Sequence, residues 1–293
     1  MVGEDYPKLW RSSDRAAASC QRRYLALVRA HLITLCLVGM VACWNPVDKG
    51  EQRLVAWMVA GLTLFAFAFG VSLKLSRLDD SWFKARAFAE SAKEACWRFM
   101  MTPLPAGAAP DDAPARYMQD LKDIRDRFPE TIKLVIAHDV EGEEITVRMS
   151  ASRSGDALER REMYLRKRVD DQVGWYKAKA RFNGRMESRW FWIILIMEIL
   201  AIAVAFVRVG TLDLEFNPTG GVAAVAACAV AWMQTKRFSD LANTYSVAAG
   251  DLEMIRERYK NARTEDELRA LVQETESAIS REHQLWVERR VAV

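Results

Sequence analysis

Four apolar runs separated by charged segments dominate this sequence. The second run, Leu54 to Leu73, has 20 residues without a charge, enough to cross a hydrocarbon core of roughly 30 Å at 1.5 Å per residue. No Pro or Gly occurs from Ser72 to Met101, and helix-forming Ala and Glu are frequent there. We therefore predict one unbroken helix of about 48 residues, whose first half lies in a membrane and whose second half stands in water.

Three more apolar runs predict three further spans: Tyr24 to Trp44, Trp190 to Val207, and Gly220 to Met233. The last of these is short and consists largely of Ala, Val and Gly. Its small residues recur four apart, a spacing that lets helix backbones approach closely in lipid. The predicted fold class is therefore an all-α membrane protein with four transmembrane helices, long cytoplasmic helical extensions and helical hairpins.

Three residues with basic or acidic side chains fall inside the predicted spans. Arg29 and His31 lie near the start of the first span, where their side chains can snorkel to the interface. Glu198 lies near the middle of the third span, where a carboxylate must be protonated, paired or facing water. Glu198, with Arg29 and His31, is therefore the candidate set for a pore or gate. The alternative is a structural pairing of Glu198 with Arg29 or His31.

Basic residues outside the runs set the predicted orientation. The loops at 45–53 and 208–219 hold two basic residues and one, whereas many more flank the other ends of the runs. Positively charged flanks stay on the cytoplasmic side of a membrane. Both termini and the whole middle region are therefore expected in the cytoplasm.

Two stripes of aromatic and charged residues follow helical spacing on the water-side segments. The first stripe consists of Trp82, Arg86, Glu90, Lys93 and Trp97. The second stripe lies on a predicted helix of about 50 residues that begins near Ala157 and enters the third span, and consists of Tyr164, Arg168, Gln172, Trp175, Lys179 and Asn183. Residues three and four apart share one helical face. Each stripe is interpreted as a partner-helix interface, and a ligand site is the alternative.

The sequence divides into three predicted domains. Residues 1–104 and 154–293 each contain two spans, and residues 105–153 form a linker with a small cytoplasmic insert. The linker is rich in Pro from residue 103 to 110, and a small β-hairpin is predicted at about 131–148. Thr264 and Glu267 predict a capping box for a final helix that folds back as a hairpin.

Composition narrows the function classes. A net charge of +3 is too small to argue for a nucleic-acid partner. The five cysteines form no C-x-x-C, and no nucleotide-binding, zinc-protease or nucleophile-elbow motif is found. His138-Asp139 with the acids at 141, 143 and 144 is interpreted as a charged turn rather than a metal site. We therefore predict no enzymatic activity, no cofactor and no metal.

The stripes are similar to motifs of the SLATT families, membrane modules found beside SMODS-type nucleotide cyclases and SLOG proteins. The first half resembles one SLATT type in Trp82, Arg86, Ala89-Glu90-Ser91, Lys93 and Trp97-Arg98-Phe99-Met100. The second half resembles another in Tyr164-Leu165, Arg168-Val169, Asp171-Gln172, Trp175-Tyr176, Lys179-Ala180 and Asn183, with Tyr245, Glu282-His283 and Trp286 in the tail. The chain thus resembles a tandem SLATT protein with two spans in each module.

This resemblance implies a membrane effector of a bacterial conflict or anti-phage defence system, located in the inner membrane. It implies a homo-oligomer that permeabilises or depolarises the lipid bilayer when a nucleotide-signal sensor or SLOG-type partner triggers it. No catalytic residues come with the resemblance. The alternative is a non-conducting membrane scaffold whose cytoplasmic helices recruit a signalling partner.

Overall fold

The computed structural model describes residues 3–102, 112–210 and 216–291, with side chains to residue 280. A short 3-10 turn, Gly3–Asp5, precedes the first helix. The predicted linker at 103–111, and the side chains of Glu282, His283 and Trp286, lie outside the described residues. The helices are α1 Lys8–Val41, α2 Lys49–Ser76, α3 Leu78–Met101, α4 Asp112–Arg127, α5 Pro129–Ile136, α6 Val147–Arg153, α7 Ala157–Tyr164, α8 Asp170–Val209, α9 Thr219–Lys236, α10 Phe238–Tyr259 and α11 Glu265–Val291.

These helices form two compact units whose segments interleave along the chain. We call the first the core unit; it comprises Met1–Gln21, Asp79–Ala180 and Asn243–Val293. We call the second the span unit; it comprises Arg22–Leu78 and Arg181–Ala242. The predicted domains 1–104, 105–153 and 154–293 concern sequence modules, and they stay a prediction.

Three stretches of helix are long and apolar enough to cross a membrane: Lys8–Val41, Lys49–Met101 and Ala157–Val209. Their outward faces carry large apolar side chains, among them Trp57, Phe65, Phe67, Ile196, Ile202 and Phe206. Water would solvate such a continuous apolar surface poorly, whereas lipid tails solvate it well. Over the residues that the structure describes, the chain is therefore a helical membrane protein with three such stretches.

The predicted unbroken helix from the second span to Met101 is wrong, because the chain breaks at Arg77. This residue has φ 44° and ψ 35°, in the left-handed region, and separates α2 from α3. Asp79 and Asp80 occupy the first turn of α3, where carboxylates interact favourably with the helix dipole. The prediction relied on the absence of Gly and Pro, and a left-handed Arg leaves no such mark in the sequence.

A second left-handed arginine ends α9. Arg237 has φ 50° and ψ 46°, and its guanidinium pairs at 2.8 Å with Asp240 in the first turn of α10. Both breaks thus have a left-handed Arg with an Asp three positions later. The two halves of the chain share this feature, although their sequences around it differ.

The second long helix extends over the predicted range but changes its winding near its start. Asp156 caps α7 by accepting from the backbone N–H of Glu159 at 2.8 Å, as expected for a capping residue. Residues Leu165–Val169 then form a π-helical turn before α8 continues to Val209. Such turns insert an extra residue and are frequent at functional sites.

The β-hairpin predicted at about 131–148 is wrong. Residues Pro129–Ile136 form α5, and residues Val147–Arg153 form α6. No strand occurs within the described ranges. Pro129 suits the first turn of a helix. Thr131 and Val135 are buried four apart, so the apolar residues of this segment follow a helical period rather than alternation.

The C-terminal helices pack as a pair. The capping box is confirmed, because the Glu267 N–H donates to Thr264 Oγ1 at 3.2 Å and the Thr264 N–H donates to Glu267 Oε2 at 2.9 Å. Leu252 and Ile255 of α10 belong to the same buried cluster as Leu268, Leu271 and Val272 of α11. The chain therefore turns back between α10 and α11, as predicted.

Small residues bring α1 and α9 together in the span unit. A Cβ built on Gly39 would lie 2.5 Å from the Cβ of Ala224, and one built on Gly221 would lie 2.5 Å from Cys43 Sγ. Real side chains cannot approach so closely, so the glycines permit this helix contact. The predicted small-residue face of the fourth apolar run thus packs against the first.

Substitution of Gly39 should therefore separate α1 from α9. We expect Gly39→Leu to destabilise the detergent-solubilised protein by about 1–3 kcal/mol, as for other overpacked sites. Gly61→Leu is the matched control, because nothing lies within 4 Å of a Cβ built on Gly61. Thermal unfolding measures both variants, and equal melting temperatures would contradict the close α1–α9 contact.

Candidate functional site

The first stripe lies against the N-terminal part of α1 within the core unit. Trp82 packs on the cluster formed by Ala16, Ala17 and Ala85. Arg86 is the next stripe residue. Its guanidinium contacts the carboxylate of Asp14 at 3.2 Å and that of Glu90 at 2.5 Å. The first half of this stripe is thus held against α1 by packing and one ion pair, and the second ion pair lies within α3.

The upper half of the first stripe enters the aromatic core. Lys93 Nζ lies 5.6 Å from the ring centre of Tyr6 and 5.7 Å from that of Trp10, a cation–π arrangement. Burial, and then the charge of Arg168, lowers the pKa of Lys93. Trp97 is fully buried. The first stripe therefore faces protein along its length.

The second stripe contains a buried ion pair that the sequence analysis missed. Arg168 Nε donates to Glu276 Oε1 at 2.9 Å, and Arg168 Nη2 donates to Glu276 Oε2 at 2.6 Å. The Tyr164 hydroxyl donates to the same carboxylate at 2.8 Å. Arg168 and Glu276 are 2% and 1% exposed, so the charges depend on each other rather than on water.

This environment shifts the titration of the neighbouring groups. Burial alone would lower the pKa of Arg168, but the adjacent Glu276 carboxylate holds that pKa above its ordinary value. Burial, and then the same carboxylate, raises the pKa of Tyr164. Burial likewise raises the pKa of the Cys96 thiol, so this cysteine is not a reactive thiolate.

The two stripes meet in this core. The rings of Trp97 and Tyr164 pack edge to face with centres 5.6 Å apart. Such aromatic pairs add about 0.5–1.5 kcal/mol beyond the apolar area they bury. The π-helical turn carries Arg168 itself and places it beside Val169, with both side chains buried.

The rest of the second stripe is less uniform. Trp175 is 38% exposed, with Lys179 Nζ 5.6 Å from its ring centre and the Tyr245 ring centre 5.3 Å away. Gln172 is half-buried and Asn183 is buried. The stripe therefore starts inside the core and reaches solvent at Trp175, which leaves this one aromatic ring available to a partner.

Glu276 left a signal in the sequence. It lies four residues after Val272 and three before Ile279, so it falls on the apolar face of α11. A carboxylate on such a face needs a buried partner. The partner could not be identified from sequence, because Arg168 is 108 positions away.

The acidic turn at 137–146 docks on the start of α1. The N–H of Lys8 donates to the Glu143 carbonyl at 3.0 Å, and the N–H of Leu9 donates to Glu144 Oε2 at 3.0 Å. These N–H groups have no partner within the helix, and a carboxylate there also interacts favourably with the helix dipole. The turn thus supplies an N-terminal cap from a distant part of the chain.

Side chains of α1 reinforce this docking. Arg11 Nη2 donates to the Glu141 carbonyl at 2.8 Å, and Lys8 Nζ lies 2.9 Å from the Asp139 carboxylate. Gly142 has φ 135°, and a Cβ there would lie 2.0 Å from Arg11 Nη2. The charged turn is therefore an α1 contact that requires glycine at this position. His138 donates to or accepts from none of these groups; its Nδ1 lies 3.0 Å from the Leu134 carbonyl oxygen.

The candidate pore or gate residues are not brought together within the span unit. His31 Nδ1 lies 2.9 Å from the Ala66 carbonyl oxygen. The Arg29 guanidinium lies over the Trp232 ring at 5.3 Å. Glu198 is exposed on α8, and among the described residues its carboxylate has no hydrogen bond or ion pair. The expected pairing of Glu198 with Arg29 or His31 is therefore absent within one copy.

The buried ion pair should respond characteristically to single and double substitution. We expect Glu276→Leu to destabilise the protein by about 3–5 kcal/mol, because it leaves Arg168 buried and unpaired. Arg168→Met combined with Glu276→Leu should regain much of this loss. Chemical denaturation in detergent measures the free energy of unfolding.

Glu274→Leu is the matched control for this pair. Its carboxylate pairs with Arg258 at the surface, where the side chains are 33% and 61% exposed. Surface pairs of this kind contribute at most about 1 kcal/mol. A loss in Glu276→Leu no larger than in Glu274→Leu would contradict the dependence of the core on the buried pair.

Two family models together match most of the chain. The model described as SMODS and SLOG-associating 2TM effector domain 3 matches residues 7–161. The model described as SMODS and SLOG-associating 2TM effector domain 1 matches residues 164–286. Neither a curated protein nor a solved structure matches the chain. The boundary between the two matches, at residues 162–163, lies within α7 just before the π-helical turn. The chain belongs to the SLATT effector family as a tandem of two such modules.

Proposed function

We propose that this protein is an effector of a bacterial conflict or anti-phage defence system that oligomerises in the inner membrane and permeabilises or depolarises it when triggered. The observation that carries the proposal is Glu198, a carboxylate in the third apolar stretch that has no partner among the described residues. A carboxylate at this depth requires a polar surround. A water-filled path lined by several copies supplies one.

Four spans with both termini in the cytoplasm fit the proposal. The helix α9 has 18 residues, or about 27 Å, and packs on α1 through Gly39 and Gly221. It can therefore cross the membrane beside the first span. The basic residues that flank the spans favour a cytoplasmic core unit, where a nucleotide-signal sensor or SLOG-type partner can reach it.

The action requires no catalysis. Opening a path for ions uses the energy already stored in the membrane potential, about 2.3 kcal/mol per charge and 100 mV. The core unit then binds the triggering partner, and the spans open the path for ions. We assign no cofactor to either unit.

A non-conducting scaffold is the second candidate. It is favoured by Trp175, Val247 and Met254, which expose apolar surface on the core unit. A signalling partner could bind there while the spans act only as an anchor. Membrane-potential measurements separate the scaffold from the pore.

The topology is tested by cysteine labelling of intact cells with a membrane-impermeant maleimide. In a chain without native cysteines, Lys49→Cys should be labelled from outside and Ser152→Cys should not. Both positions lie in described segments outside the four apolar runs of the sequence. The reverse labelling pattern would reject the proposed orientation.

Depolarisation is tested by expression with a membrane-potential dye under conditions in which the protein arrests growth. We expect the wild-type chain to depolarise cells before growth stops, and Glu198→Leu to weaken or abolish this signal. Glu187→Leu is the control, because it replaces a carboxylate of the same helix before the apolar run begins. Growth arrest without depolarisation would reject the pore and favour the scaffold.

A further inference from the structure

We propose that Glu198 of one copy pairs with Arg29 of a second copy, so that an ion pair between copies joins the oligomer inside the membrane. The inference rests on the assembly proposed above and names its interface: the exposed face of α8 against the exposed face of α1. Its occupant is a second copy of this chain.

The first half of the interface is the α8 face around Glu198. None of the residues in the most apolar window of this helix is buried. Apolar side chains on this face can be solvated by lipid, but the Glu198 carboxylate cannot. Within the described residues Glu198 has no hydrogen bond or ion pair, so its own chain does not satisfy it.

The second half is Arg29, which is exposed on α1. Its guanidinium lies over the Trp232 ring, whose centre is also 5.8 Å from Lys236 Nζ. A cation–π contact of this kind forms no hydrogen bond to a carboxylate, so the N–H donors of Arg29 stay available. No carboxylate among the described residues pairs with Arg29, so these N–H groups can donate to a carboxylate of another copy.

The two charges lie at similar depths. Arg29 follows the basic flank at Arg23 by six positions, and Glu198 follows the flank at Arg189 by nine. At 1.5 Å per residue these separations are about 9 Å and about 14 Å. Both helices run inward from the same side in the proposed orientation. The difference is less than one helical turn, which the long Arg side chain can span.

Among the described residues the pair is not formed within one copy, since the Arg29 guanidinium lies over the Trp232 ring and Glu198 has no hydrogen bond or ion pair. Each copy nevertheless carries one acid and one base at matched depth. Its surface is therefore complementary to that of an identical copy. Such complementarity produces either a two-fold dimer with two ion pairs or a head-to-tail ring.

Charge reversal in separate chains tests the contact between copies. Glu198→Arg and Arg29→Glu, each in a chain with its own affinity tag, should each lose self-association in detergent and in liposomes. Co-expression of the two variants should restore mixed oligomers, because Arg at 198 then faces Glu at 29 in the neighbouring copy. Pull-down through one tag and detection of the other measures this recovery.

The design separates a contact between copies from a contact within one. A pair within one copy would be restored by both substitutions in a single chain, but not by mixing two singly substituted chains. Arg23→Glu is the control for Arg29→Glu, since it reverses a charge six positions earlier on the same helix. Restoration by Arg23→Glu as well, or the absence of restoration by Arg29→Glu, would overturn the proposal.

Crosslinking keeps the test decisive if a reversed charge prevents insertion. In chains without native cysteines, Glu198→Cys and Arg29→Cys in differently tagged copies should form a mixed disulfide with a copper–phenanthroline oxidant. Thr63→Cys replaces Arg29→Cys in the control, and an equal yield from both would overturn the interface. Restored assembly without depolarisation would reject the pore and leave the interface standing, so the two failures are distinguishable.

Discussion

The core unit depends on one buried ion pair. Arg168 and Glu276 form a salt bridge with both side chains buried away from water. The Tyr164 hydroxyl donates a further hydrogen bond to the Glu276 carboxylate. Tyr164 in turn supports the Trp97 ring, so residues from both family motifs are positioned by a single carboxylate on α11. Replacement of a buried pair by apolar residues is often neutral or stabilising, and in some proteins the pair instead specifies a unique arrangement. We infer that this pair determines which helices pack together and contributes less to the free energy of that packing.

Local patterns predicted the helical fold class, the apolar stretches, the capping box and the face of each stripe, because these features repeat every three or four residues. The partner of each feature lies far along the chain. Arg168 meets Glu276, and the start of α1 is capped from residues 143 and 144. Helical periodicity carries no information on such distant contacts. The hairpin error has the same origin, since a short apolar segment fits either period until its neighbours are known.

Position within an apolar run can be read from the sequence, but pairing cannot. Counting residues from the basic flanks placed Glu198 and Arg29 inside the apolar runs. The structure then separates them within one copy, with Arg29 on Trp232 and Glu198 on an exposed helix face. Whether Glu198 acts at a gate or in an ion pair therefore depends on neighbouring copies.

The left-handed arginines at 77 and 237 bear on how related chains can differ in length. An insertion of one residue within α8 turns every later side chain by about 100° about the helix axis and rotates a motif off its face. At Arg77 and Arg237 the helix already ends and a new one begins, so no helical phase is carried across them. An insertion or deletion at either point therefore leaves the residues of each stripe on one helical face. Within α8, which has no such break from Asp170 to Val209, an insertion would instead move the later residues of the second stripe off their helical face.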